Sequence, residues 1–300
     1  MKKFYILSAC ISFLLISHHS KAQQDPQYTQ YMYNMNVVNP AYAGSKENLS
    51  LGLLFRDQWS GIEGAPQTFT FAAHTPLNNG LGIGLSGIQD QIGPVEETNI
   101  YTDISYTINL DAKHKLAFGI KAGATFQDIG FIDLAQQNDS AFSPNVSESF
   151  VNLGAGLFLY SDNYYVGLSV PNFLSETYLD KNGRGFGTQE QHYFLTAGYV
   201  FQLTDYLKFK PSTLIKSEFS SFVSFDANAN FLFYDRFEIG ASYRYEDAVS
   251  GLMSVRATDW LQLGFAYDSS TNDLNEPSYE AFVIFDIFFK KKTFISPRYF

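Results

Sequence analysis

Three histidines lie beyond the first 22 residues, His74, His114 and His192, and they are the side chains best suited to acid–base or metal chemistry. They fall far apart, on separate predicted strands or turns. The chain has no His-x-x-x-His, no cysteine cluster and no Gly-x-Ser-x-Gly, so metal and serine-nucleophile sites lack their usual geometry. Gly82 to Gly87 is glycine-rich, but no helix follows to present its N-terminus to a phosphate. The acidic run Asn272-Asp273-Leu274-Asn275-Glu276 lacks the Asp-x-Asp-x-Asp-Gly calcium pattern and reads as a solvated loop. The expectation is a noncatalytic protein with no cofactor and no metal; a site assembled from distant strands is the alternative.

The remaining ionisable residues are arranged by parity. In the stretch from Phe222 to Asp268, Val223, Phe225, Ala227, Ala229, Phe231 and Phe233 alternate with Ser224, Asp226, Asn228 and Asn230. Phe237, Ile239, Ala241, Tyr243 and Tyr245 alternate with Glu238, Ser242, Arg244 and Glu246, and Leu261, Leu263, Phe265 and Tyr267 with Gln262 and Asp268. Successive side chains on a strand point to opposite faces, so each run is a strand with one aromatic and one polar face. A charged interior with a charge-free aromatic exterior is the pattern of a transmembrane β-barrel. A secreted sandwich with a solvated outer face is the competing reading.

Composition agrees. The 300 residues are 17% aromatic and 17% charged, with 22 glycines, and no run reaches the roughly twenty apolar residues of a helical span. Lys2 and Lys3, the apolar Phe4 to Ile16 and the Ser20-Lys21-Ala22 cleavage site read as a signal peptide over 1–22. Leu7-Ser8-Ala9-Cys10 resembles a lipobox, but a cut there leaves Ile11 to Ile16 on the mature side. Loss of Lys2, Lys3 and Lys21 moves the net charge from -10 to -13, which argues against nucleic acid as a partner.

Residues 23–48 form a short N-terminal segment with Tyr28, Tyr31, Met32 and Met35 at helical spacing. A short amphipathic helix would pack them against the barrel mouth or serve as a plug. Asn39-Pro40 followed by Ala41-Tyr42-Ala43-Gly44 ends any helix. The expected fold is all-β, an outer-membrane barrel over 49–289 with about fourteen antiparallel strands, twelve and sixteen remaining open. The turns after even-numbered strands are short, whereas those after strands one, three, five, seven and thirteen are longer. That asymmetry places the short turns and both termini in the periplasm. Fourteen strands tilted ~40° close to a diameter of roughly 28 Å, with space for about one helix. Inward parity holds Arg56, Lys121, Lys208, Lys210, Lys216, Asp226, Glu238, Arg244, Glu246, Arg256, Asp268, Glu280 and Asp286. Such a lining braces itself by ion pairs or selects a solute.

Three motifs together resemble the PorP/SprF family of type IX secretion membrane proteins from Bacteroidetes. They are Asp25-Pro26-Gln27-Tyr28-Thr29-Gln30-Tyr31 continuing to Asn39-Pro40-Ala41-Tyr42-Ala43-Gly44, then Arg56-Asp57-Gln58-Trp59-Ser60-Gly61 with Gly64-Ala65-Pro66, and Ser296-Pro297-Arg298-Tyr299-Phe300. The resemblance implies an integral outer-membrane component that helps export, bind or retain surface proteins carrying a C-terminal sorting domain, including gliding adhesins. It implies lipid, that client and periplasmic or outer-membrane secretion components as partners. It supplies no catalytic residue. Tyr28, Tyr31, Asn39, Pro40, Tyr42, Gly44, Arg56, Gln58, Trp59, Gly64, Pro66, Arg298 and Phe300 are the structural or docking candidates. From the residues alone, Trp59 and Tyr42 suit an interfacial girdle, and Arg56 suits a brace across the lumen. The Lys290-Lys291-Lys292 tail over 290–300 cannot sit in hydrocarbon. A channel for small or hydrophobic solutes is the alternative function.

Overall fold

The computed structural model describes residues 27–130, 146–174, 177–180, 185–188, 191–218, 223–272 and 275–289. The expected signal segment with residues 23–26, the tail over 290–300 with Arg298 and Phe300, and parts of the loops between the fifth and sixth and between the seventh and eighth strands lie outside the described residues.

The chain forms one closed antiparallel ring. Its strands are β1 (Leu49–Asp57), β2 (Gln67–Pro76), β3 (Leu81–Ile92), β4 (Val95–Asn109), β5 (Lys115–Ile129), β6 (Val146–Tyr160), β7 (Tyr164–Val170), β8 (His192–Tyr199, resuming as Phe201–Thr204), β9 (Leu207–Glu218), β10 (Ser224–Phe233), β11 (Phe237–Arg244), β12 (Ala248–Thr258), β13 (Leu261–Ser270) and β14 (Ser278–Ile287). A two-stranded hairpin, Thr177–Asp180 with Gly185–Thr188, stands apart from the ring in the β7–β8 loop. With β8 counted once, the ring has fourteen strands, closed where β1 pairs with β14 from Leu49↔Ile287 to Asp57↔Tyr279. Closure removes the sheet edges that a bilayer could not satisfy. The lapse in β8 lies opposite Pro211 of β9, which has no N–H to donate to the ladder.

Parity holds around the ring. Ile100, Ile104, Phe118, Ile120, Phe126, Leu157, Phe231, Ile239 and Phe265 face outward and are exposed, whereas Asp103, Lys121, Asn152, Asp226, Glu238, Arg244 and Glu280 are buried inside. No helix is long and apolar enough to cross a membrane among the described residues. Short turns gather at one end. Asn79 and Gly80 take φ of 62° and 80°, and Tyr234 and Asp235 take 53° and 54°, the left-handed pair that tight hairpins need.

The opposite, loop end departs from expectation. β3 and β4 are joined only by Gly93-Pro94, with no long loop between them, and β4, β5 and β6 each run 15 residues. At roughly 3.4 Å per residue such strands overshoot the hydrocarbon layer. Their outer halves are polar outside as well as inside, with Gln89, Gln91, Glu96, Asp128 and Glu148 exposed, so alternation fades there although the ladder continues. Glu246 is likewise exposed, in the β11–β12 turn with φ 56°, and does not line the lumen. Arg256 is only half-buried.

The lipid face makes a direct prediction. Ile120, 61% exposed on β5, lies about five residues above the turn end, so Ile120→Arg places a charge near the bilayer midplane. Folding into vesicles followed by denaturant titration should show a loss of about 2–4 kcal/mol; an unchanged midpoint would mean that this face does not meet lipid.

Candidate functional site

The site is the lumen, and its occupant is the chain's own N-terminal segment. The expected single helix is instead three separate turns: a 3-10 turn at Tyr31–Tyr33, one α-turn at Met35–Val38 and a 3-10 turn at Pro40–Tyr42. Asn39 separates the last two, accepting a hydrogen bond from Ala41 N on its side-chain oxygen at 2.9 Å, with Pro40 in the first position where its missing N–H costs nothing. From Tyr28 to Ala43 every residue except Tyr33 is buried. The segment is therefore a plug inside the barrel and not a cover on its mouth.

Its upper end is held where the barrel closes. Arg56 on β1 and Glu280 on β14 are register partners across the closing pair, and their ion pair is 3.2 Å long. Arg56 also contacts Asp268 of β13 at 2.7 Å. The backbone N–H groups of Thr29 and Gln30 donate to the two oxygens of Glu280 at 2.9 and 2.7 Å. Thr29 Oγ1 accepts from Arg56 and donates to Asp268. The plug thus begins, at Gln27 to Gln30, towards the loop end of the lumen. The two carboxylates of Glu280 and Asp268 hold it there.

The lower end lies along a row of small residues. Gly82, Ser105, Gly119, Gly156 and Ser169 are successive cross-strand partners on β3, β4, β5, β6 and β7. The plug backbone follows this row from Val38 at β7 to Ala43 at β4 and β3. Ser169 Oγ donates to Val38 O at 2.8 Å and Ser105 Oγ to Ala43 O at 2.5 Å. A Cβ on Gly119 would come within 2.2 Å of Ala41 N, one on Gly156 within 2.1 Å of Asn39 Oδ1, and one on Gly82 within 2.4 Å of Ala43 O. Asn39 Nδ2 donates to Leu157 O at 2.9 Å. One level up, Lys121 and Asp103 form an ion pair of 3.2 Å between β5 and β4, and Asn36 donates to Asp103.

The plug reaches the far wall as well. Tyr33 packs at a tilt against Phe282 of β14 with ring centroids 4.6 Å apart, seven strands round the ring from β7, so the plug spans the diameter. Tyr31 OH bonds Ser212 and Asn228, and Lys210 of β9, paired with Glu238 at 2.8 Å, also donates to Tyr33 OH. Arg244 binds Asp226 through Nε and Nη2 and donates to Tyr28 O.

Of the sequence candidates, Tyr28, Tyr31, Asn39, Pro40, Tyr42 and Gly44 come together in the plug, with Arg56 against them. Tyr42 is not in a membrane girdle: it is buried edge-on to His74 and Phe158. Gly44, with φ 72°, has Gly82 and Pro76 where a side chain would stand. Gln58, Trp59, Gly64 and Pro66 lie apart from these, in the β1–β2 loop, where Gln58 N bonds Pro66 O and Trp59 N bonds Ser278 Oγ. The histidines share no site. His74 accepts from Gly44 N in the lumen, His114 pairs with Asp111 in the short β4–β5 turn, and His192 is buried on β8. Among the described residues, no group of His, Cys, Asp or Glu has the arrangement to hold a metal ion. Asp103, Asn36 and the small-residue row were not singled out from sequence. Their signal is inward parity on neighbouring strands, legible only with the register in hand.

Comparison with known proteins follows this geometry. The family model described as type IX secretion system membrane protein PorP/SprF matches residues 20–288. No curated protein matches the chain. Among solved structures, the P. putida toluene transporter TodX shares 11% identity over 86% of this chain and 95% of its own, with a TM-score of 0.50. The Acinetobacter baumannii outer membrane protein Omp33 shares 9% over 81% and 100%, at 0.46, and the Ralstonia pickettii toluene transporter TbuX 11% over 84% and 92%, at 0.49. At such identity the likeness concerns the barrel fold alone. Together the family match and the lipid-facing ring make the chain an integral outer-membrane protein.

Two variants test the plug. Arg56→Met leaves Asp268 and Glu280 facing each other without their shared cation, and the unfolding free energy should fall by about 3–5 kcal/mol. Gly119→Val drives a side chain into Ala41, and should open stepwise conductance in a planar bilayer that the parent barrel lacks. Parent-like stability and a silent bilayer would show that neither contact holds the segment.

Proposed function

The chain belongs to the PorP/SprF family of type IX secretion system membrane proteins, and from that premise we propose that it is a noncatalytic scaffold that helps export client surface proteins and retain them at the cell surface. The observation that carries this reading is the filled lumen. A plug bonded to β1, β4, β6, β7, β9, β10 and β14 leaves little purpose for the bore as a conduit, and moves the work to the two ends. At the loop end, the polar hairpins of β3–β4 and β5–β6 extend the wall beyond the hydrocarbon. They form a platform where a client's sorting domain would dock. At the turn end, residues 290–300 with Lys290-Lys291-Lys292, Arg298 and Phe300 would meet periplasmic secretion components.

In the same reading residues 1–22 are a cleaved signal, 23–48 the plug, and 49–289 the barrel. Gln58, Trp59, Gly64 and Pro66 shape the loop beside the closing strands, and Tyr28, Tyr31, Asn39, Pro40, Tyr42 and Gly44 hold the plug. Removing the loop between β5 and β6, or that between β7 and β8, should release the client into the medium while the barrel still inserts. Undiminished surface display by either deletion would contradict the proposal. The channel alternative requires solute uptake by liposomes carrying the parent protein, and the scaffold reading predicts none.

A further inference from the structure

Above the small-residue row the lumen changes character. Its other walls are polar, yet Tyr31 and Val38 of the plug face Ile88, Tyr101, Phe194 and Leu214 of the barrel across a recess of about 90 Å³ whose further lining, Glu97, Asn172 and Ser224 among it, lies towards the loop end. An apolar pocket in a wet barrel is unexpected, since inward positions of such barrels are polar, and water gains little in a space so lined. One of its polar neighbours offers an unmet donor. Asn172, just past β7, lines the recess and has a buried side-chain nitrogen with no hydrogen-bond partner, while its oxygen accepts from Leu174 N. That second bond fixes the amide's orientation and leaves its N–H₂ as a donor. Such an unmet buried donor carries a desolvation cost that an incoming acceptor would relieve. Lys216, Arg244, Glu97 and Asp226 surround the recess, two of each sign, so no net charge selects the guest.

We propose that this recess is a dead-end binding pocket for a compact apolar group, one ring or a branched chain in size, that carries a neutral hydrogen-bond acceptor such as an amide or carbonyl oxygen. The guest enters from the cell-surface side, seats its apolar part between Leu214, Ile88 and Val38, and accepts a hydrogen bond from Asn172. It goes no further, because the plug beneath is bonded across the lumen. The same chemistry is offered by an apolar residue on an exported polypeptide and by a free small amphiphile. The pocket does not depend on the scaffold reading: a client can be retained through the loops alone, and the pocket can bind in a protein whose client is unknown.

The test uses the full-length protein in lipid nanodiscs and saturation-transfer NMR with two water-soluble probes, N-acetyl-phenylalaninamide and benzyl alcohol. Saturable transfer is expected, with empty nanodiscs as the baseline. Preference for the capped amino acid identifies a polypeptide side chain as the source, and preference for benzyl alcohol a free small molecule. Leu214→Trp fills the space and should weaken binding by about ten-fold or more, and Asn172→Leu, which keeps the size and removes the donor, should weaken the amide probe more than the alcohol. Both variants must still show the heat-modifiable migration of a closed barrel. No saturable transfer to the parent protein, or equal transfer in a folded Leu214→Trp variant, would overturn the proposal.

Discussion

The contact of Arg56 with Glu280 and Asp268 is the constraint on which the rest of the structure depends. It lies where the first and last strands meet, so it bears on ring closure, and its carboxylates also receive the backbone of Thr29 and Gln30. Charges this deeply buried are tolerable only when every one is paired and hydrogen-bonded. Here the barrel alone does not satisfy them: without the plug, Glu280 loses two N–H donors and Arg56 loses Thr29. The wall and the segment inside it are one structure, held by a network that neither completes separately.

The remainder of the plug follows from the same requirement. A segment made of three turns leaves many backbone groups without partners of its own, and irregular backbone at membrane depth survives only when buried in protein that satisfies it. The wall supplies those partners where it is narrowest in side-chain volume. Ser105 and Ser169 donate to plug carbonyls, and Gly82, Gly119 and Gly156 let the chain approach within van der Waals contact. Asn39 serves both sides, capping Ala41 with its oxygen and donating to Leu157 with its nitrogen. A lumen packed in this way suits a protein whose partners meet it at its rims.

Much of this was legible in the sequence, and the failures have physical causes. Parity is legible along the strands because lipid lies on one side and ions on the other, as Phe231 against Asn230 or Ile239 against Glu238 shows, and it fails at Glu246, which stands in a turn. The strand count followed from it. The longer turn expected after the third strand is absent because the stretch from Gln89 to Thr98, which is mostly polar on both faces once it rises out of the bilayer, hides a hairpin that alternation does not signal. Tyr42 reads as a girdle residue in sequence because an aromatic ring suits both a membrane interface and a packed interior. The spacing of Tyr28, Tyr31, Met32 and Met35 suggested one helix, but burial on every side removes the reason for an amphipathic stripe. The row through Gly119 and Gly156 is a property of strand register, which composition does not encode.

Amide hydrogen exchange of the protein in a lipid bilayer measures the central claim most directly. Because the N–H groups of Thr29 and Gln30 end on Glu280, and the segment down to Ala43 is enclosed by the wall, residues 29–43 should exchange as slowly as the transmembrane strands. Fast exchange across that segment beside fully protected strands would show a barrel that stands without its plug, and would contradict the account.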